Sequence, residues 1–250
     1  VEETTLIRLD RDVAIVAPWP AVYIAKEASI VVSDLHLGLE DEQERLGVHI
    51  PVSLFPRLLR LVLEPIKATG ARRLILLGDV KHEFGPPSAS EWWAVKRLVS
   101  EVRRLGCEPE VVRGNHDNYI VTILKELEVR VHDPSMRLGD LLLSHGHRPL
   151  EVERGVRHIL IGHEHPAVAI RDELGVRHQF KAFLTGMVGG RRVTVLPSAS
   201  PYTQGNAINE IPPEERLSPL LRGLDMSGFT AYLIEPGVAV KRFPALRYLT

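Results

Sequence analysis

The chain has 250 residues, of which 44% are hydrophobic and 25% charged, an ordinary composition for a folded globular protein. This length suits one α/β domain, residues 1–250, with a core large enough to need no disulfide staple. A formal net charge of −1 argues against a generally basic nucleic-acid binder, and a single cysteine, Cys107, excludes an internal disulfide and fits a reducing compartment.

In chain order, residues 4–9, 13–17 and 22–25 read as short strands, with Pro18 and Pro20 in a turn. Residues 30–33 form a further strand. Residues 40–45 are strongly charged and start an exposed helix or loop. Residues 54–66 carry apolar side chains at helical spacing, with Pro56 in the first turn. Residues 71–77 are a strand. Residues 88–105 read as the best helix, capped by Ser88 or Ser90 and stopped at Gly106. Its stripe of Trp92, Trp93, Val95, Leu98, Val99 and Val102 is expected to pack in the core. Strands follow at 110–112, 141–143 and 159–161, with a helix at 118–127 between the first two. Beyond Pro166 the pattern changes to an antiparallel meander at 168–171, 176–183 and 192–196. Residues 201–224 read as a long irregular excursion. A hairpin at 229–234 and 238–243 closes the chain.

No apolar run approaches the ~20 residues of a membrane-spanning helix. Val1-Glu2-Glu3-Thr4 is unlike the charged-then-apolar start of a signal peptide, so a cytoplasmic protein is expected.

Five polar clusters interrupt this framework. They are Asp34-Leu35-His36, Gly78-Asp79-Val80-Lys81-His82, Gly114-Asn115-His116-Asp117, Ser144-His145-Gly146-His147 and Gly162-His163-Glu164-His165. Each follows a short run rich in Val, Ile and Leu that reads as a buried parallel strand. The clusters therefore sit at strand carboxyl ends, where open α/β sheets bind ligands. Carboxylate, amide and imidazole donors form a set of intermediate softness that suits transition metals. Asp34, His36, Asp79, Asn115, His145, His163 and His165 are too many for one ion with an open position. Two ions sharing a carboxylate use the set naturally, and Asp79 is the best bridge.

In this order the clusters resemble the calcineurin-like metallophosphoesterases, over residues 28–200. The resemblance implies a two-sheet αββα sandwich with helices on both outer faces. One ion would be held by Asp34, His36, Asp79 and His165, the other by Asp79, Asn115, His145 and His163. His116 would lie beside the substrate phosphate as electrostatic stabiliser or general acid. His82 stands where the protein phosphatases carry a second Asp and the SbcD-type nucleases carry His. The stretch from Gly162 to Ala199 is similar to the DNA-ligase-associated phosphoesterases and SbcD-related archaeal proteins. It departs from them at Pro197-Ser198-Ala199-Ser200-Pro201.

The expected activity is hydrolysis of phosphodiesters, with a DNA or RNA strand as the favoured substrate. The cofactors would be two divalent transition-metal ions, Mn first, with Fe, Zn, Ni or Co as alternatives. His82 and His116 are the catalytic candidates. His147, Asp117 and Arg113 are candidates for substrate contact or support: Asp117 to orient His116 or cap the following helix, Arg113 to meet phosphate or a salt-bridge partner. Glu164 should point away from the metals. His49, His132, His158 and His178 fit no cluster and read as surface or structural. A small nucleotide or other phosphate ester is the alternative substrate. A non-catalytic scaffold, such as the retromer subunit of the same fold, would lack the complete ligand set.

Overall fold

A computed structural model describes residues 4–48 and 53–249, so His49 lies outside the described residues. The first sheet holds β1 (Thr5–Arg8), β2 (Val13–Ala17), β3 (Val22–Ile24), β4 (Ser29–Val32), β5 (Arg73–Leu77), β6 (Glu108–Val112) and β7 (Arg130–His132), in that spatial order. β1 to β4 pair antiparallel and β4 to β7 pair parallel. Parallel neighbours need long crossovers. These carry α1 (Leu39–Arg45), α2 (Phe55–Thr69), α3 (Ala89–Arg104) and α4 (Ile120–Glu126).

The second sheet holds β8 (Ser135–Leu138), β9 (Leu141–Ser144), β10 (His158–Ile161), β11 (Pro166–Arg171), β12 (Arg177–Val188), β13 (Arg191–Val195) and β14 (Asn206–Ala207). β15 (Thr230–Glu235) pairs with β12, and β16 (Ala239–Ala245) pairs with β15. β9, β10 and β13 are parallel. The hairpins β11–β12 and β12–β13 are antiparallel.

The two-residue period of the strands sorts their side chains into layers. Ile30, Val32, Leu74 and Leu76 face α2, α3 and α4. Val31, Ile75 and Leu77 face the other way, against Leu141, Leu143, Leu160 and Phe183 of the second sheet. Leu142, Ile159 and Ile161 point out of that sheet. The layer covering them is the irregular chain after β13, through Ile208, Leu221, Met226 and Phe229. The sandwich is the expected one, but short 3-10 turns and loop build this outer layer in place of long helices.

Three local expectations need correction. Ser88 caps α3 in a full capping box with Glu91. Trp93, however, is 58% exposed and packs on Phe55 instead of in the core, where Ala94 takes its place. The predicted helix at 118–127 is broken into a 3-10 turn (His116–Asn118) and α4, with no side-chain cap on either. Beyond Pro166, β11 begins at Pro166 instead of 168 and β12 runs on to Val188 instead of ending at 183, because Leu184–Val188 pair antiparallel with β13.

His158 is wholly buried, with Nε2 2.9 Å from Thr194 Oγ1 and Nδ1 3.4 Å from Asp10. Burial pulls its pKa down to about 4. The folded state therefore binds fewer protons than the unfolded state between pH 4 and 6.5, and this residue lowers stability as pH falls through that window. The full effect is on the order of 3 kcal/mol. Urea unfolding across this pH range should show a shallower loss in His158→Asn. Parallel wild-type and variant curves would refute this.

Candidate metal centre

The loops after β4 and β5 run on side by side: the Asp34 N–H donates to the Gly78 carbonyl at 3.1 Å and the His36 N–H to that of Asp79 at 2.9 Å. The loop after β10 reaches across from the second sheet, where the His163 N–H donates to Asp34 Oδ2 at 3.1 Å. Ser33 Oγ donates to the same carboxylate at 2.6 Å. Close approach requires glycine at several points, Gly78 and Gly114 among them. A Cβ on Gly78 would lie 2.2 Å from His145 Nδ1, and one on Gly114 2.2 Å from Asp79 Oδ1.

Seven non-glycine residues among those described have a left-handed backbone, and five are Asp34, His36, Asp79, His163 and His165, with φ from 47° to 64°. Each costs about 1 kcal/mol or more. The strain is concentrated where the polar clusters meet.

All seven ligand candidates are brought together. Asp34, His36 and His165 form one group, and Asp79, His145 and His163 another, with ligand atoms within 4.8 Å of one another in each. Asp79 Oδ2 stands between them, 3.2 Å from His145 Nε2 and 4.0 Å from His36 Nε2. Asn115 Oδ1 is 3.2 Å from His145 Nε2.

Hydrogen bonds fix which imidazole nitrogens are free. Glu42 Oε2 is 2.5 Å from His82 Nε2 and can only accept, so a neutral His82 carries its proton there. His82 Nδ1 then accepts from His36 Nδ1 at 3.3 Å. That leaves His36 Nε2 as a bare lone pair, 3.2 Å from His165 Nε2. On the other side His145 Nδ1 donates to the Leu77 carbonyl at 2.9 Å. Its Nε2 lone pair therefore faces the oxygens of Asp79 and Asn115, acceptor against acceptor. Either a proton or a metal cation in the gap resolves this.

The electrostatics agree. Burial opposes protonation of His145, yet the charge and hydrogen bond of Asp79 overrule it and push the pKa up to about 9. Burial pulls His36 to about 3 and His163 to about 4, so both are neutral donors near pH 7. Burial pushes Asp34 and Asp79 upward, but the surrounding histidines hold both below the usual carboxylate range. The donor set fits transition-metal ions, with second-contact partners (Glu42 through His82, the Leu77 carbonyl) of the kind that orient metal-binding histidines.

The remaining candidates divide. His116 borders the centre, its N–H donating to Asp79 Oδ1 at 3.0 Å and its Nε2 3.8 Å from Asp79 Oδ2. Burial lowers its pKa. His36, His82 and His116 also converge, but without any carboxylate of their own. His147 reaches the rim, with its ring centroid 5.2 Å from that of His145 and both nitrogens buried without a protein partner.

Asp117 neither orients the His116 ring nor caps a helix. Its carboxylate accepts from the N–H groups of Val80 and Gly114, both at 2.9 Å, and so ties two of the polar loops together. Arg113 pairs with Asp133 at 2.7 Å and with Asn118 Oδ1 at 2.7 Å, the salt-bridge alternative. Glu164 points away from the centre, as expected. It accepts from the N–H of Leu217 at 3.1 Å and of Ser218 at 2.8 Å, which fastens the 201–224 excursion beneath His163 and His165.

Sequence reasoning missed Glu42, Phe84 and the second contacts of Glu91. Glu91 Oε1 accepts from the N–H of His82 and Glu83 at 3.2 and 2.9 Å, holding that loop. Its capping-box spacing was the only available signal.

No protein-family model matches the chain, and no curated protein does either. Among solved structures, the chain is similar to the nuclease MPE of Pseudomonas putida, with 20% identity over 92% of this chain and 96% of that one and a TM-score of 0.63. The phosphoesterase Yfce of E. coli aligns at 21% identity over 89% of this chain and 94% of that one, with a TM-score of 0.41. The first of these likenesses establishes a shared fold, a two-sheet α/β sandwich.

Proposed function

We propose that this protein is a metal-dependent phosphoesterase that hydrolyses phosphodiester bonds, with a nucleic-acid strand as its substrate. The observation that carries this reading is the meeting of two ligand groups at Asp79, with His116 beside them and not needed by either group. Asp34, His36, Asp79 and His165 would hold one divalent transition-metal ion, and Asp79, Asn115, His145 and His163 the other, Mn²⁺ being the first choice. When bound, such ions supply Lewis-acid stabilisation and a water activated near neutral pH. His82, held by Glu42, positions His36. His116 donates a proton to, or stabilises charge on, the leaving oxygen. His147 contacts the phosphate from the Asn115 side.

The preference for diesters rests on charge. A phosphomonoester carries nearly two negative charges and would gain from a free cation in the site. Of the two arginines beside it, Arg113 is engaged by Asp133 and Asn118, and Arg148 lies 3.3 Å from the same Asp133. The fold shared with a nuclease supports the strand as substrate. With Mn²⁺, kcat/KM should be higher on bis-p-nitrophenyl phosphate than on p-nitrophenyl phosphate. The reverse order would reject the diester assignment.

No helix among the described residues is long and apolar enough to cross a membrane.

A further inference from the structure

Phe84 is 55% exposed, yet it stands on the rim of the metal centre. Its ring centroid is 3.7 Å from that of His116, with the planes tilted by 30°. Core packing does not account for an apolar ring left in water at this place. Sited against the residue that serves the leaving oxygen, it is a platform on which the leaving group's own ring can stack.

Charge around the centre is uneven. At the Phe84 end stand Asp41 and Glu42 of α1, which reach Ser88 and His82, together with Glu83, three carboxylates against the one guanidinium of Arg45, which pairs with Glu83 at 3.0 Å. At the Asn115 end the balance reverses, where Arg113 and Arg148 share the single carboxylate of Asp133, at 2.7 and 3.3 Å. A strand needs cations along its phosphates. The Phe84 end therefore accepts a ring and repels a further phosphate, while the Asn115 end, where two paired guanidiniums exceed the one Asp133 carboxylate by a single positive charge, draws the continuing strand.

Resting on the phosphodiesterase reading, we propose that the protein works from a strand end, with Phe84 stacking the base of the terminal nucleoside as leaving group. In the reaction the oxygen of water bonds to phosphorus and the bond from phosphorus to the nucleoside oxygen breaks. That oxygen takes up a proton, with His116 beside it. The products are a free nucleoside and a strand ending in a phosphomonoester. Phe84 is thus a specificity residue, and the acidic face of α1 sets the polarity of binding.

The test uses one single-stranded oligodeoxynucleotide in four forms, with both ends free, with a 5′-phosphate, with a 3′-phosphate, and circular. With the Mn²⁺-loaded protein, the free-ended strand should release one nucleoside from one end and then react more slowly, because the shortened strand carries the terminal phosphate. A phosphate on that end should slow release about ten-fold, and the circle should survive. Phe84→Ala should raise KM about ten-fold, the scale of one base–aromatic stack, with a smaller change in kcat, and Phe84→Tyr should restore it. Equal cleavage of circle and linear strand, or an unchanged KM in Phe84→Ala, overturns the proposal. Hydrolysis of bis-p-nitrophenyl phosphate is read in parallel. If the metal-loaded wild type fails there, the phosphodiesterase reading falls and takes this proposal with it. Normal hydrolysis there with a cleaved circle rejects the strand-end proposal alone.

Discussion

Asp79→Asn should release both ions and abolish turnover, the largest effect expected of any single substitution in this protein. The carboxylate is nearly fully buried and its Oδ2 faces ligand nitrogens of both groups. An amide keeps the shape but removes the charge, and its NH₂ cannot serve a cation. Loss of a partner one step removed from a metal already weakens binding by about 10–100-fold, so a shared direct ligand should cost more at both sites. Activity should fall by on the order of 10³-fold or more, the kinetic equivalent of several kcal/mol of Lewis-acid stabilisation. Metal analysis and calorimetric titration would check this. A variant that still held two ions per chain and turned over normally would remove Asp79 from the bridging role.

His116→Ala is expected to separate chemistry from metal binding. The ring lies 3.8 Å from Asp79 Oδ2 and outside both groups that contain a carboxylate. Its backbone N–H, which an alanine retains, supplies the contact to Asp79 Oδ1. Metal content should therefore stay near that of the wild type, while kcat falls by roughly 10²–10⁴-fold, as when general acid–base help is withdrawn. The deficit should be smaller on diesters whose leaving group needs no proton. Wild-type turnover in His116→Ala with both ions present would show that the imidazole takes no part.

Much of this was legible beforehand because the parallel strands are short, apolar on both faces and ended by polar clusters. Runs such as Leu74–Leu77 and Ile159–Ile161 have no other reading in a chain of this length. The edge strands β7 and β8 were not legible. β7 and β8 read Arg-Val-His and Ser-Met-Arg-Leu, and they exist because β6 and β9 offer them ladders. The ligand candidates were readable since each lies within a few residues of a strand end. Their supports were not, because Glu42 reaches His82 across 40 positions and Glu164 reaches Ser218 across 54, with no local spacing to mark either pair. Asp117 misled because an acid before a helix usually caps it, whereas here two backbone N–H groups from neighbouring loops claim its carboxylate.

The carboxylate of Glu164 makes the His163–His165 turn two-sided, with imidazoles toward the metals and an acid gripping the backbone at Leu217 and Ser218. Transplanting the five polar clusters onto another sandwich would thus leave this turn with a buried, unanswered carboxylate on its far side. A designer borrowing the centre would have to move residues 162–166 and 216–222 as one cassette, although more than fifty positions separate them in the gene.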